Sequence, residues 1–80
     1  MEIKWQDHIH SDPEILSGKP VVKGTRLSVE FLMGLFEAGW SEKQILENYP
    51  RLTKEKLRAV FTFTRECLEM DYWYPKKESV

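Results

Sequence analysis

Residues 28–66 read SVEFLMGLFEAGWSEKQILENYPRLTKEKLRAVFTFTRE and contain two breaks, one at Gly39 and one at Pro50. Between and beyond these breaks, apolar residues recur at the three- and four-residue spacing of an α-helix. The pattern therefore indicates a mainly α domain and predicts three helices, over residues 29–38, 42–48 and 54–70.

Polar residues at the predicted helix starts support these bounds. Ser28 and Thr53 are good N-cap residues, and Ser41 with Gln44 three positions later forms the sequence of a capping box. Gly39 suits the left-handed conformation that often ends a helix. Each predicted helix is thus delimited by a local signal.

The first and third helices are more apolar than a surface helix requires. In the first, polar character is confined to Glu30, Gly34 and Glu37, so we expect this helix at the centre of the core. The third has an apolar arc of roughly 200°, against the ~100° that a core-facing surface helix needs. We expect Cys67, within this arc, to be a small buried apolar residue. The arc comprises Leu57, Ala59, Val60, Phe61, Phe63, Thr64, Cys67, Leu68 and Met70.

Residues 1–27 lack helical periodicity and predict a short β segment. Turn-forming residues at Ser17–Pro20 separate the apolar runs Glu14–Leu16 and Val21–Lys23, which favours a hairpin between these two runs. Such a hairpin is marginal alone and must pack on the helices. We therefore expect a single domain over residues 1–80, with a β segment at 1–27, a three-helix core at 28–71 and a tail at 72–80.

Composition and charge exclude several functional classes. The 80 residues include 12 Lys and Arg against 13 Asp and Glu, which gives a net charge of −1. The chain therefore has no general attraction for nucleic acid or membranes, and nucleic-acid binding requires a local basic patch. A single cysteine excludes an internal disulfide, and no run approaches the ~18 apolar residues of a membrane span. With no secretory signal at the N-terminus, we expect a cytoplasmic protein without membrane association.

The stretch GKPVVKGTR, residues 18–26, raises the question of a phosphate-binding loop. A Walker-type loop needs Ser or Thr after Gly-Lys. Here Gly18-Lys19 precedes Pro20, which has no N–H to donate. The glycine spacing also fails the dinucleotide-binding pattern.

A structural turn accounts for the same residues better. Glycine supplies positive φ, Thr25 can bond to the local backbone, and Arg26 can pair with a carboxylate. The candidate carboxylates for Arg26 are Asp12, Glu14 and Glu30. The turn residues are Gly18, Lys19, Pro20, Gly24, Thr25 and Arg26.

The start of the third helix is the candidate DNA-contacting surface. The second helix, the break after it and the third helix have the proportions of a helix-turn-helix motif, whose second helix enters the major groove. Cations there could meet phosphates, and Lys54 or Arg58 could reach a guanine edge. The alternative is a charged, solvated helix start. The candidate residues are Arg51, Thr53, Lys54, Lys56 and Arg58.

The end of the third helix and the tail form the candidate partner surface. Aromatic residues and Met are enriched at the cores of protein interfaces. This segment could bind another copy or a different protein, or it could cover the N-terminal segment around Trp5. The candidate partner-binding residues are Phe63, Met70, Tyr72, Trp73 and Tyr74.

Taken in order, these motifs resemble the bacterial family catalogued as domain of unknown function 433, over about residues 9–65. The residues that carry the resemblance are Asp12-Pro13, Gly18-Lys19-Pro20, Val21-Val22, Gly24-Thr25-Arg26, Val29, Gly39-Trp40-Ser41 and Tyr49-Pro50-Arg51-Leu52-Thr53. Members of that family resemble VapB-type antitoxins, have a homeodomain-like helical fold and are often encoded beside a PIN-like nuclease toxin.

The resemblance implies a non-enzyme that needs no metal or cofactor, the antitoxin of a type II toxin–antitoxin pair. The tail and the broad face of the third helix would bind the PIN-like nuclease toxin, and the basic residues, doubled in a homodimer, would bind operator DNA. The alternative is a self-associating structural or adaptor module without DNA binding. An enzyme that uses the 18–26 loop is the least supported hypothesis.

Overall fold

The structure, a computed structural model, describes residues 2–70 and has a mainly α architecture. Three α-helices follow a two-stranded antiparallel sheet, which confirms the predicted fold class. Two short 3₁₀ turns, at Trp5–Asp7 and Leu16–Gly18, lie within the N-terminal segment. The strands and helices are β1 (Ile9–His10), β2 (Val21–Val22), α1 (Val29–Glu37), α2 (Glu42–Asn48) and α3 (Lys54–Met70).

The helices begin at the predicted caps. The hydroxyl oxygens of Ser28 and Thr53 accept from the backbone N–H three residues later, at 2.9 and 3.2 Å. Ser41 and Gln44 form a reciprocal capping box, at 3.1 and 2.8 Å. These bonds occupy N–H groups that have no partner within their own helix. Gly39, at φ 98°, follows the end of α1.

The predicted hairpin is wrong in its first strand. β2 pairs with β1, so that Ile9 lies opposite Val22 and His10 lies opposite Val21. Residues 11–20 connect the two strands, and the predicted strand at Glu14–Leu16 does not form.

Local hydrogen bonding explains this difference. The side chain of Asp12 accepts the backbone N–H of Glu14 at 2.9 Å, which turns the chain where a strand was expected. Leu16 and Ser17 then adopt positive φ values of 51° and 58°, outside the β region. The other edge of β2 is also occupied by backbone further along the chain, so an additional strand has no free edge to join.

That second edge of β2 leads directly into α1. The N–H of Val22 donates to the Leu27 carbonyl at 3.0 Å, and the N–H of Val29 donates to the Pro20 carbonyl at 2.9 Å. Val21 and Ser28 form the bridge between these two bonds. β2 is therefore bonded on both sides, and both of its valines are fully buried.

The core lies between β2 and the three helices and ends partway along α3. No residue between Val60 and Met70 is buried. In α1, Val29 and Leu32 are buried while Phe31 is 43% exposed, so the expectation that α1 is central to the core on nearly all sides is wrong. Two neighbouring helices and a short sheet cannot enclose a helix in so small a domain. The core residues are Ile9, Val21, Val22, Val29, Leu32, Ile45, Leu52, Leu57, Ala59 and Val60.

Gly34 and Gly24 provide a matched test of this backbone. Gly34 lies inside α1, and a Cβ at this position would meet no atom within 4 Å. We expect Gly34→Ala to raise the free energy of unfolding by about 0.5–1 kcal/mol, because alanine loses less backbone entropy in a helix. Gly24 has a φ of 81°, so we expect Gly24→Ala to lower it by about 1 kcal/mol or more.

Urea denaturation of both variants beside the wild type measures these changes. A destabilising Gly34→Ala substitution would contradict the assignment of this position as open helix surface.

Candidate functional site

The turn after β2 is held by the side chain of Thr25. Its backbone N–H and its hydroxyl both donate to the Val22 carbonyl, at 3.0 and 2.8 Å, and its hydroxyl oxygen accepts from the Leu27 N–H at 3.0 Å. Gly24 occupies the third position of this turn with positive φ, the position at which type II turns favour glycine. The turn thus presents its remaining side chains on a fixed backbone.

The cations of the 18–26 stretch differ in their partners. Lys19 Nζ lies 2.9 Å from Glu30 Oε1, in an exposed ion pair that contributes little to stability. Glu30, one of the three candidate partners of Arg26, therefore pairs with Lys19 instead. Within residues 2–70, no carboxylate lies within 4 Å of the exposed Arg26 side chain.

A hydrogen bond joins this turn to the connection between α2 and α3. Arg51 donates from its guanidinium to the Gly24 carbonyl at 3.1 Å. A groove of about 710 Å³ lies beside this contact. Arg26, Arg51 and His10 line it together with apolar residues, and none of its lining residues is acidic.

The cations among the candidate DNA-contacting residues are divided mainly between two grooves. Arg51 lies on the groove just described, whereas Lys54 and Arg58 line a separate groove of about 310 Å³ beside Ile3 and Glu55. Thr53 caps α3 through its hydroxyl. Lys56 is half-buried. Arg51 thus lines one groove, and Lys54 and Arg58 line another groove at the start of α3.

The candidate partner surface is also divided. Phe63 packs edge-on against Trp5, with ring centroids 4.8 Å apart, and Trp5 Nε1–H donates to Glu66 Oε1 at 2.9 Å. The N-terminal segment thus covers Phe63. Met70 is 85% exposed. Tyr72, Trp73 and Tyr74 lie outside the described residues.

The second half of α3 carries further apolar residues on the surface. Phe61 and Leu68 are 44% and 38% exposed, and the Phe61 ring contacts Phe36 of α1 at a centroid distance of 5.0 Å. Cys67 is exposed, so the expectation that it is buried is wrong, because the core ends before this part of α3. We use the name α3 strip for Phe61 and Leu68; Met70, nine residues after Phe61, lies on the opposite side of the helix.

Two features of these surfaces were missed from the sequence. The contact of Trp5 with Glu66 joins residues 61 positions apart, and neither residue has a local signal for it. The grouping of His10 with Arg26 depends on the pairing of β1 with β2, which was assigned to a different first strand. The Gly24-Thr25-Arg26 motif was the one sequence signal that pointed to this groove.

Residues 2–70 contain no cluster of three or more His, Cys, Asp or Glu side chains placed to hold a metal ion. Within the same residues, no helix has the length and apolar character needed to cross a membrane.

Comparison with known proteins places this architecture in a family. Residues 9–64 match the family described as Protein of unknown function (DUF433). The chain belongs to this family. The matched range runs from β1 through the turn after β2 to the middle of α3.

Two relatives show how far the similarity extends. Over 50 residues, the chain is 44% identical to the uncharacterized protein y4eO of Sinorhizobium fredii (strain NBRC 101917 / NGR234). This match covers 62% of the chain but 23% of that relative, so the chain spans about a quarter of its length. A DUF433 member from Anabaena variabilis ATCC 29413, known from a crystal structure, is similar with a TM-score of 0.75 and 31% identity. That similarity covers 81% of this chain and 64% of the Anabaena chain.

The two hydrogen bonds of the Thr25 hydroxyl can be tested by paired substitutions. Thr25→Val keeps the shape of the side chain but removes both bonds, so we expect the free energy of unfolding to fall by about 1–3 kcal/mol. Thr25→Ser keeps the hydroxyl, and we expect a change within about 0.5 kcal/mol. Thermal and urea denaturation of both variants measures this difference. Equal stability of the two variants would show that the hydroxyl does not hold the turn.

Proposed function

We propose that this chain is the antitoxin-like member of a type II toxin–antitoxin pair, which binds and neutralises a PIN-like nuclease. The α3 strip is the observation that supports binding of a partner protein, and the family motifs favour a nuclease as that partner. We further propose that the start of α3 contacts operator DNA, and that the chain acts in the bacterial cytoplasm by binding rather than by catalysis.

The α3 strip has the properties of a protein-binding surface. Phe61 and Leu68 are seven residues apart, which places them two helical turns apart on the same side of α3. Met70 is a further exposed apolar side chain at the end of the same helix, on the side opposite the strip. These side chains lie beyond the last buried residue of α3, Val60. Apolar groups grouped on a surface gain free energy when a partner removes them from water.

The choice of a nuclease as partner rests on the family motifs. The Gly24-Thr25-Arg26 and Tyr49-Pro50 segments resemble motifs of the DUF433 family, whose members resemble VapB-type antitoxins and are often encoded beside such nucleases. A partner that binds the folded chain also stabilises it by mass action. Free antitoxin with a small core would then unfold and be degraded more readily than the complex.

The connection from α2 to α3 supports DNA contact. Five residues, 49–53, separate the helices, which is close to the turn of about three or four residues in a helix-turn-helix motif. The exposed cations Arg51, Lys54 and Arg58 surround the start of α3. With a net charge of −1 for the chain, a homodimer that presents two such surfaces would bind DNA more strongly than one copy.

A self-associating module without DNA binding is the second candidate. The α3 strip supports it equally, because two copies related by a two-fold axis could cover one strip with the other. In the first candidate a nuclease covers the α3 strip, and in the second another copy of this chain covers it.

Capture from native cells distinguishes these candidates. Tagged wild-type chain is recovered from nuclease-treated lysate and analysed by mass spectrometry and light scattering. We expect a stoichiometric small nuclease-like protein, and we expect Leu68→Asp to abolish its capture because a carboxylate would be buried in the contact. Leu16→Asp is the matched control, since Leu16 is 43% exposed, comparable to 38% for Leu68, but lies in the N-terminal turn.

Equal capture by Leu68→Asp and Leu16→Asp would contradict the assignment of the α3 strip to the partner. Recovery of the chain alone, as an oligomer that Leu68→Asp dissociates, would favour the self-associating module instead.

A further inference from the structure

We propose that the turn after β2, through Lys23 and Arg26, contacts the phosphates of one DNA strand, while Lys54 and Arg58 face the other strand. The proposal rests on the DNA contact proposed above and names a second element that makes it. It assigns a binding role to a turn that otherwise serves the fold.

The first supporting observation is the exposure of two cations on a fixed turn. Lys23 and Arg26 are both exposed, and the Thr25 hydrogen bonds fix the backbone between them. Within residues 2–70, neither side chain has a carboxylate within 4 Å, whereas Lys19 of the same stretch is paired with Glu30. A cation on a fixed backbone can bind a phosphate without the cost of ordering the backbone, so that only its side chain must be ordered.

The second observation is the connection of this turn to α3. The Arg51 guanidinium donates to the Gly24 carbonyl, and Arg51 lies three residues before the first residue of α3. Arg26 and Arg51 also line one groove that contains no acidic side chain. When α3 approaches a ligand by its start, the turn approaches the same ligand.

The third observation is the separation of the cations into two groups. Arg26 and Arg51 line one groove, and Lys54 and Arg58 line another, which shares no residue with the first. A helix in the major groove has a phosphate backbone on each side of it, because the groove is about 12 Å wide. Two cationic groups around one helix start match these two backbones, whereas α3 alone supplies one group.

The same groove could instead receive an acidic segment of a partner protein, because Ile15, Leu27 and Pro50 add apolar surface to it. The two groups of cations favour DNA, since a single segment would occupy one groove and leave the Lys54 and Arg58 group unused. The protein segment therefore becomes an outcome of the test.

The salt dependence of DNA binding tests the proposal. The probe is a fluorescent duplex of mixed sequence and about 20 base pairs, two helical turns, because phosphate contacts do not depend on sequence. The variants are Arg26→Gln, Lys23→Gln and their combination. Lys19→Gln is the matched control, with the same loss of charge in the same stretch, and Arg58→Gln reports on α3. Thermal denaturation confirms that each variant is folded.

We expect Arg26→Gln to make the slope of log K against log salt shallower by about 0.9, the value for one phosphate contact. The ratio of wild-type to variant affinity then falls about 3.5-fold between 50 and 200 mM salt. The double variant should lose about 1.8 from the slope. Lys19→Gln should leave the slope unchanged.

Three results would overturn the proposal in distinguishable ways. If the wild type does not bind the duplex at low salt, both the DNA contact and the role of the turn are wrong. If Arg58→Gln weakens binding while Arg26→Gln and Lys23→Gln behave like Lys19→Gln, only the role of the turn is wrong. If the double variant keeps DNA binding but loses the captured partner protein, the groove binds an acidic protein segment.

Discussion

The hydrogen bonding of β2 on both of its edges is the constraint on which the rest of the structure depends. One edge pairs with β1, and the other bonds to the backbone that leads into α1. The two valines of β2 are completely buried, so this short strand is both a hydrogen-bonding centre and part of the core. The turn that carries Arg26 exists because the chain must reverse immediately after β2 to supply the second edge. A stretch that resembles a phosphate loop therefore has a backbone role first, and any binding role uses the side chains that this backbone leaves free.

The helices could be predicted from the sequence, whereas the contacts between distant segments could not. Ser28, Ser41 and Thr53 accept hydrogen bonds from N–H groups three residues later. Because these caps involve neighbouring residues only, the helix starts can be predicted from the local sequence. Several short apolar runs near the N-terminus could each pair with β2, and local sequence does not show which one does. In the structure, the Asp12 side chain accepts the Glu14 N–H and turns the chain before residue 15, so the run at 14–16 does not pair. The exposure of Cys67 likewise depends on where the core ends, and helical periodicity does not show the end of a core.

The division of α3 connects the fold with the proposed function. Its first half supplies Leu57, Ala59 and Val60 to the core, and its second half has Trp5 as an aromatic cover on Phe63. The chain thus has a helix whose residues 61–70 include no buried residue, and this part of the helix carries an exposed apolar strip. Binding a partner there would cover apolar surface and add support to α3 at the same time. The same arrangement leaves the start of α3 and the turn after β2 free, so DNA and a protein partner need not compete for one surface.

Native-state hydrogen exchange on the isolated monomer is the most direct test of the central role of β2. It shows whether β2, α1 and the part of α3 up to Val60 unfold as one unit. We expect the amides of Val22, Val29, Leu32 and Val60 to share the slowest exchange, because they open only with global unfolding. We expect the amides of residues 65–70 to exchange at least about tenfold faster, through local opening of the second half of α3. Uniform protection along α3 to Met70 would contradict a core that ends at Val60. Fast exchange at Val22 and Val29 with slow exchange in the helices would contradict the central role of β2.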